Sequence, residues 1–482
     1  MICNNRRVHR ILLELTAPLH IGGGSRDLVY DAAVTRNAFG QWTIPGSSIA
    51  GVLRGIVREV DGESAASETF GSIDGDLADA SAVLVSDGEL IDFDGRSAFR
   101  KAMACEAVAM PMDLRVIEDH VRLDDAVTGS PGTAADGGKY DLEVIPEGVR
   151  FAVEIECHDA VDSHANRKRL DAALGRILSG GASLGGRVGS GLGRVRSVDH
   201  SFRDFDLARR DDLIAFAALD DDPSSPIPGA TNAVVADHDH PRGHEGLSGR
   251  ISLRFEASGP LLVGGSQGPL GTEDGADLVC NRQPVLDWKQ KRFVDRPVIP
   301  GSGIRGMIRS RVVHALVASG RPDHEVQTLV DRIFGSVNGG DGRRGRLRVE
   351  GVTLDEMTGT VIQHVGIDRL TGGSLRSALF SEAPIWEEAL AFEVGIHLDG
   401  LGTDHLAVLA QAIWDVHEGL APIGGGTRRG NGRLRIASKP DGFHGLDIGF
   451  DLALDGEPLD ADRLRELEER LLGVQLKELL EA

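Results

Sequence analysis

Three kinds of short segment in this 482-residue chain bring together residue types suited to work on an anionic ligand. One is a lone acid in a loop, Asp31 in YDAAVTRN, downstream of the glycines in PLHIGGG. A single carboxylate can orient or deprotonate a hydroxyl, or hold a metal ion that does so. Another is a Pro-Gly-Ser turn opening an apolar helix, IPGSSIAGVLRG, with Ser47 or Ser48 as a natural N-cap. Arg54 lies off its apolar stripe of Ile49, Val52, Leu53, Ile56 and Val57. The free N–H groups of such a helix start suit a phosphate, although a strand-to-helix turn is the plainer reading of one copy. The last kind is glycine–arginine sequence: GRVGSGLGRVR at 186–196, GRRGRLR at 342–348 and TRRGNGRLR at 427–435. Glycine lets backbone amides approach a phosphate chain and arginine neutralises it. The plainer alternative is a tight turn leading into an exposed basic strand.

These devices recur in order, which fixes the organisation of the chain. The strand at 8–15 with Pro18 to Gly24 matches the strand at 250–257 with Pro260 to Gly265, where Ile251, Leu253 and Phe255 alternate with polar residues. Pro45-Gly46-Ser47 matches Pro300-Gly301-Ser302, Gly51 matches Gly306, and Arg54 matches Arg309. TFGS at 69–72 returns as IFGS at 333–336, and GLGRVR at 191–196 as GNGRLR at 430–435. Such ordered self-similarity marks a tandem repeat. The expected division is a first domain at 1–205, a linker at 206–248, a second domain at 249–445 and a C-terminal extension at 446–482. The linker is rich in Pro, Gly, Ser and Asp, and the extension carries Leu464, Leu467, Leu471 and Val474 at helical spacing behind Asp460 as N-cap.

The length calls for more than one core. Hydrophobic residues make up 41% and charged residues 26%, as in soluble globular proteins. No apolar run is long enough to span a bilayer, and the N-terminus reads as a strand, so no membrane is expected and the cytoplasm is the expected location. Cys3, Cys105, Cys157 and Cys280 form no C-x-x-C pair, so isolated thiols are expected. The net charge of −22 taken alone argues against nucleic acid, but the arginines cluster in glycine-rich segments while acids gather elsewhere. An acidic body with basic grooves follows. With only 4% aromatic residues, tracking of an RNA backbone fits better than stacking of bases.

Other patterns lack the context their chemistry needs. Gly181-Ala182-Ser183-Leu184-Gly185 fits G-x-S-x-G, but a helix precedes it instead of a strand. There is no P-loop, and the glycines at 189, 191 and 193 lack the dinucleotide fingerprint. His238, His240 and His244 with Asp237 and Asp239 could grip a metal, but a solvated linker accounts for them.

LHIGGG, Asp31 in YDAAVTRN, IPGSSIAGVLRG, FGS and GSGLGRVR together resemble the RAMP (repeat-associated mysterious protein) superfamily, and more narrowly the backbone subunit of type III CRISPR effector complexes. Two copies in one chain look like the fused double-backbone subunits of type III-D-like systems. The resemblance implies an α+β chain of two tandem ferredoxin-like, RRM-like domains with inserted thumb hairpins, near 120–147 and 364–386 here. IDRLTGG at 367–373 resembles the family's thumb well; LDDAVTGS at 123–130 has an acid where arginine is expected. It implies partners: a CRISPR guide RNA, a target RNA, a large signalling subunit, a small subunit and other RAMP subunits. By position the resemblance implies that Asp31 is the aspartate supporting divalent-metal-dependent cleavage of target RNA, with Mg2+ the expected ion. The RNA-binding set is Gly22, Gly23, Ser47, Ser48, Arg54, Arg187 and Arg194 in the first copy. In the second it is Gly264, Gly265, Ser302, Arg305, Arg309, Arg428, Arg429 and Arg433. Alignment on the Pro-Val pair sets Arg282 against Asp31 and Leu262 against His20, so the first copy is expected to cleave and the second mainly to bind. Asp277 is the candidate second acid; Asp287 and Asp295 come after the Pro-Val pair. His20 is read as structural. The alternatives are a non-catalytic guide-binding scaffold, a histidine-centred guide-processing endoribonuclease of the same superfamily, and an acidic enzyme unrelated to nucleic acid.

Overall fold

The computed structural model describes residues 5–23, 32–74, 77–111, 114–123, 134–159, 164–232, 246–264, 276–336, 342–357, 359–443, 445–460 and 462–463. Asp31, Gly265, the histidines of the linker and the C-terminal helix expected beyond 463 lie outside these residues.

Each repeat is built around an antiparallel sheet whose central strand turns its apolar residues to one face, Ile11, Leu13 and Leu15 in the first and Ile251, Leu253 and Phe255 in the second. In the first, Asn5–Leu15 pairs with Arg150–Asp159 on one side and Val195–Asp206 on the other. Val83–Val85 and Gly88–Leu90 extend it beyond Arg150–Asp159. In the second, Leu247–Ala257 lies between Ala391–Leu401 and Ile448–Leu454, with Leu347–Val349 at the far edge. Two helices cross each sheet: Gly46–Asp61 and Ala165–Leu178 in the first, Gly301–Ala318 and Thr403–His417 in the second. The order strand–helix–strand–strand–helix–strand, with the last strand beside the first, is the ferredoxin-like arrangement expected. Ile49, Leu53, Ile56 and Val57 are the buried face of the first helix, at the spacing that aims a helical stripe at a core.

The recurring FGS has a steric cause. Gly71 and Gly335 both end a short helix at φ 79°, and a side chain at either would collide with backbone of the facing segment. Each repeat also carries a long hairpin, Val116–Leu123 with Ala134–Val144 and Ile362–Ile367 with Ser374–Ala383. They stand where the thumbs were expected.

The stretch read as a linker is folded in its first half. Helix Arg210–Ala217 and residues 218–232 lie on the first sheet, where Ile227 joins Val8 and Phe205 in a small core. Arg10 donates to the Ser225 carbonyl at 2.9 Å, and to that of Asp220. The polar composition reflects a segment held by backbone carbonyls around a few apolar anchors.

The repeats are joined by more than the chain. The second repeat's hairpin, Arg282–Asp287 with Arg292–Ile299, reaches into the first repeat. There Leu286 is part of the buried core, with Trp288 and Phe293 packed against it. The Trp288 indole donates to Gly148 O at 2.7 Å, and Arg150 stacks 4.1 Å from its ring centroid. Leu286→Ala is expected to cost about 2–5 kcal/mol, as for other buried leucines. Leu379→Ala, at a hairpin site 69% exposed, should stay within about 0.5 kcal/mol. Urea unfolding of the two variants checks the contrast.

Candidate nucleic-acid interface

In each repeat four segments meet at the root of the hairpin. In the first, Leu19 bridges Ile145, Gly22 bridges Val34, and Ala32 bridges Leu142 in parallel. Gly186 N–H donates to His20 O at 2.8 Å, bringing the glycine–arginine loop to the same place. In the second, Leu261 bridges Ile385, Gly264 bridges Cys280, Leu278 pairs in parallel with Glu382, and Gly425 N–H donates to Leu262 O at 2.7 Å.

This register corrects the alignment on the Pro-Val pair. Val34 answers to Cys280 and Ala32 to Leu278, so the residue before Leu278, Asp277, is the counterpart of the residue before Ala32, Asp31. Arg282 answers to Arg36. The alignment slipped because Arg36 bridges Trp42 over a tight turn, whereas Arg282 pairs with Pro297 across a full hairpin. The acid does recur. Asp277 is exposed, but its carboxylate accepts the Ser381 N–H at 2.7 Å and the Ser381 hydroxyl at 3.0 Å. In the first repeat the position of Ser381 is taken by Asp141.

Buried acids hold both roots together, and sequence patterning had not singled them out. Glu143, 1% exposed, accepts the Val34 N–H at 2.9 Å and an Arg36 N–H at 2.8 Å. The Glu143 carbonyl lies 2.8 Å from His20 Nδ1, which must therefore donate. Leu262 replaces that histidine in the second repeat. There Glu382, 2% exposed, pairs with Arg429 and accepts from Asn431 at 3.2 Å, with His364 Nε2 at 3.0 Å. Burial opposes its charge, but these partners outweigh it and hold the carboxyl below its ordinary range.

The expected anion sites are met unevenly. Pro45 and Pro300 are the N-caps of their helices, which begin at Gly46 and Gly301; no serine side chain caps either. Ser47 is instead exposed in the first turn, and Ser48 and Ser302 are half-buried there. Gly46 N–H is taken by the Asp87 carboxylate at 2.7 Å. Arg54 donates to Gly71 O at 2.6 Å and pairs with Glu63 at 3.0 Å. Arg305 donates to Phe334 O, and burial together with Arg309 lowers its pKa. Arg187 lies over the Tyr140 ring and donates to its hydroxyl at 2.7 Å. Arg428 and Arg433 are exposed, as are the backbones of Gly22, Gly23 and Gly264. Ser183, in the rejected G-x-S-x-G segment, follows a helix as expected and accepts from Arg348 at 2.9 Å.

Arg194 instead crosses the seam between repeats. It meets Glu350 at 3.0 Å, and His397 reaches the same carboxylate at 2.7 Å. Burial disfavours the charge of Glu350, but the His397 hydrogen bond and the charges of Arg194 and Arg250 pull its pKa far below the ordinary value. Nearby, burial and Arg344 lower Arg348 to about 10. Among the described residues no three His, Cys, Asp or Glu side chains form a metal-binding group, and no helix is long and apolar enough to cross a membrane.

The sequence profile of the RAMP superfamily matches residues 12–196 and 254–435, most of the chain and both repeats. This chain belongs to the RAMP superfamily. RAMP proteins are generally CRISPR-associated and bind RNA and CRISPR complex subunits. None of the curated proteins compared matches the chain. Each match falls within one repeat and spans its two crossing helices and its long hairpin, so both repeats are RAMP domains.

The depressed Glu350 carboxyl makes a signed prediction. Its stabilisation is complete above the unfolded-state pKa and is lost as pH falls toward the lower folded value. Glu350→Gln should therefore be less stable than the unchanged protein at pH 7, and the gap should narrow as pH falls below about 4. Urea midpoints across that range test it.

Proposed function

We propose that this protein is a backbone subunit of a type III CRISPR effector, of the type III-D-like fused kind, that holds guide RNA and cleaves the paired target RNA at its first repeat. The observation that carries this reading is the paired hairpin root: each repeat gathers a glycine loop, the segment after it, the hairpin's return strand and a glycine–arginine loop at one point. Exposed Arg428, with the exposed glycine backbones, suits contact with an RNA backbone.

In the first repeat Asp31 is the catalytic carboxylate. RNA supplies the nucleophile. The carboxylate accepts the 2′-hydroxyl proton as that oxygen attacks the adjacent phosphorus. The bond to the 5′ oxygen breaks, and a proton from water completes the 5′-hydroxyl product beside a 2′,3′-cyclic phosphate. Asp141, one residue from the Leu142 that bridges Ala32, adds a second carboxylate suited to a hydrated Mg2+. Such an ion, held by Asp31 and Asp141, would neutralise charge on the phosphate. The second repeat binds rather than cuts: Asp277 is tied to Ser381, and Ser381 replaces the second acid.

Asp31→Ala is expected to lower target cleavage by roughly 10²–10⁴-fold while the guide stays bound. Unchanged cutting would sink the cleavage role. Asp277→Ala should leave the rate unchanged. Sequencing the RNA that co-purifies with the protein and its native neighbours should give uniform guides with repeat-derived ends.

A further inference from the structure

The seam between the two repeats is a worked example of how one RAMP domain receives the next, and it can be compared with the two outer faces of the chain. At the seam the first repeat offers Gly191, at φ 87°, in its glycine–arginine loop. It rests so closely on Val349, Glu350 and Gly351 that any side chain there would collide with their backbone. Arg194 pairs with Glu350, Arg348 donates to Gly181 O at 3.0 Å, and the Thr353 hydroxyl donates to Glu147 at 2.6 Å. The hairpin bearing Leu286 and Trp288 completes the contact.

Among the described residues, the outer face of the first repeat lacks each of these receiving devices. Val85 answers to Val349, since each carbonyl abuts the first glycine of its helix. Leu84, 51% exposed, therefore stands where the second repeat has Arg348, Ser86 where it has Glu350, and Asp87 where it has Gly351. Asp87 is more than a lost glycine. Its carboxylate takes the Gly46 N–H, so it occupies the helix start against which a neighbour's loop would lie. The reaching hairpin is reduced to the tight turn between Arg36 and Trp42.

The outer face of the second repeat keeps the offering devices. Gly430, at φ 100°, answers to Gly191 and has open space around it. Arg433 answers to Arg194 and Glu387 to Glu147, and both are exposed. Trp386, 50% exposed, lies beside them.

We propose that this chain is the terminal unit of a stack of RAMP domains: closed at its first repeat by Asp87, and docking one further domain through Gly430, Arg433 and Glu387 of its second. The occupant is a RAMP domain of a different chain, one that presents a glycine-lined helix start and a carboxylate in the position of Glu350. A second copy of this chain cannot fill that role, because among the described residues its only free receiving face is the closed one. The inference rests on the RAMP assignment and not on RNA cleavage.

The test uses the full chain, alone and in the ribonucleoprotein purified with its native neighbours. Sedimentation of the chain alone should give a monomer at all concentrations; head-to-tail oligomers would overturn the proposal. Native mass spectrometry of the purified complex should show Arg433→Glu losing at least tenfold of the occupancy of one neighbouring RAMP-bearing subunit. Asp87→Arg should leave the subunit composition unchanged. Loss of a RAMP subunit with Asp87→Arg, or full occupancy with Arg433→Glu, refutes it. Circular dichroism confirms that both variants fold. Guide content, read separately in the same samples, reports on the proposed function independently of the docking.

Discussion

The arrangement of this protein depends on one intrusion: a hairpin of the second repeat supplies Leu286 to the hydrophobic core of the first. Everything at the seam follows from that anchor. With Leu286 and Trp288 seated, the first repeat's glycine loop meets the second repeat's helix start and Arg194 meets Glu350. A buried cluster of one acid with Arg194, Arg250 and His397 would be a poor source of stability by itself, because removing charges from water costs nearly as much as their attraction returns. Here apolar burial holds the repeats together and the ion cluster fixes their register. The two hairpin roots are thereby held in one chain at a set separation, as binding to a continuous strand requires.

Much of the architecture was legible in the sequence because its signals are local. The Pro-Gly-Ser turns, the apolar helix stripes and FGS are backbone requirements that leave their residues in place in both copies. The hairpins were legible only through family resemblance, since their periodicity is weak. The correspondence of acids was misread. Sequence alignment counts residues, and the long hairpin after Arg282 displaces that count, whereas the strand ladder that pairs Leu278 with Glu382 does not depend on it. The buried acids Glu143 and Glu382 were invisible for a related reason. An acid on a half-polar strand looks solvated until tertiary structure brings an arginine to it.

The serines of the helix starts show the converse. Serine at a helix start reads as a cap, but proline already fixes the preceding turn, and in the first repeat Asp87 supplies the acceptor from the link between Val83–Val85 and Gly88–Leu90. The two helices share a Pro-Gly-Ser start and differ in their surroundings, so one is closed by its own repeat and the other by the neighbouring repeat.

The shared core also sets an order of events during synthesis. Residues up to about 206 contain six of the seven described strands of the first sheet, all but Thr231–Asn232, yet its hydrophobic core stays incomplete until Leu286, Trp288 and Phe293 have been made. A nascent chain leaving the ribosome thus carries a nearly finished domain with an open apolar socket for the next stretch of translation. The linker between the repeats has to be long enough for the arriving hairpin to find its own socket before that of a neighbouring chain.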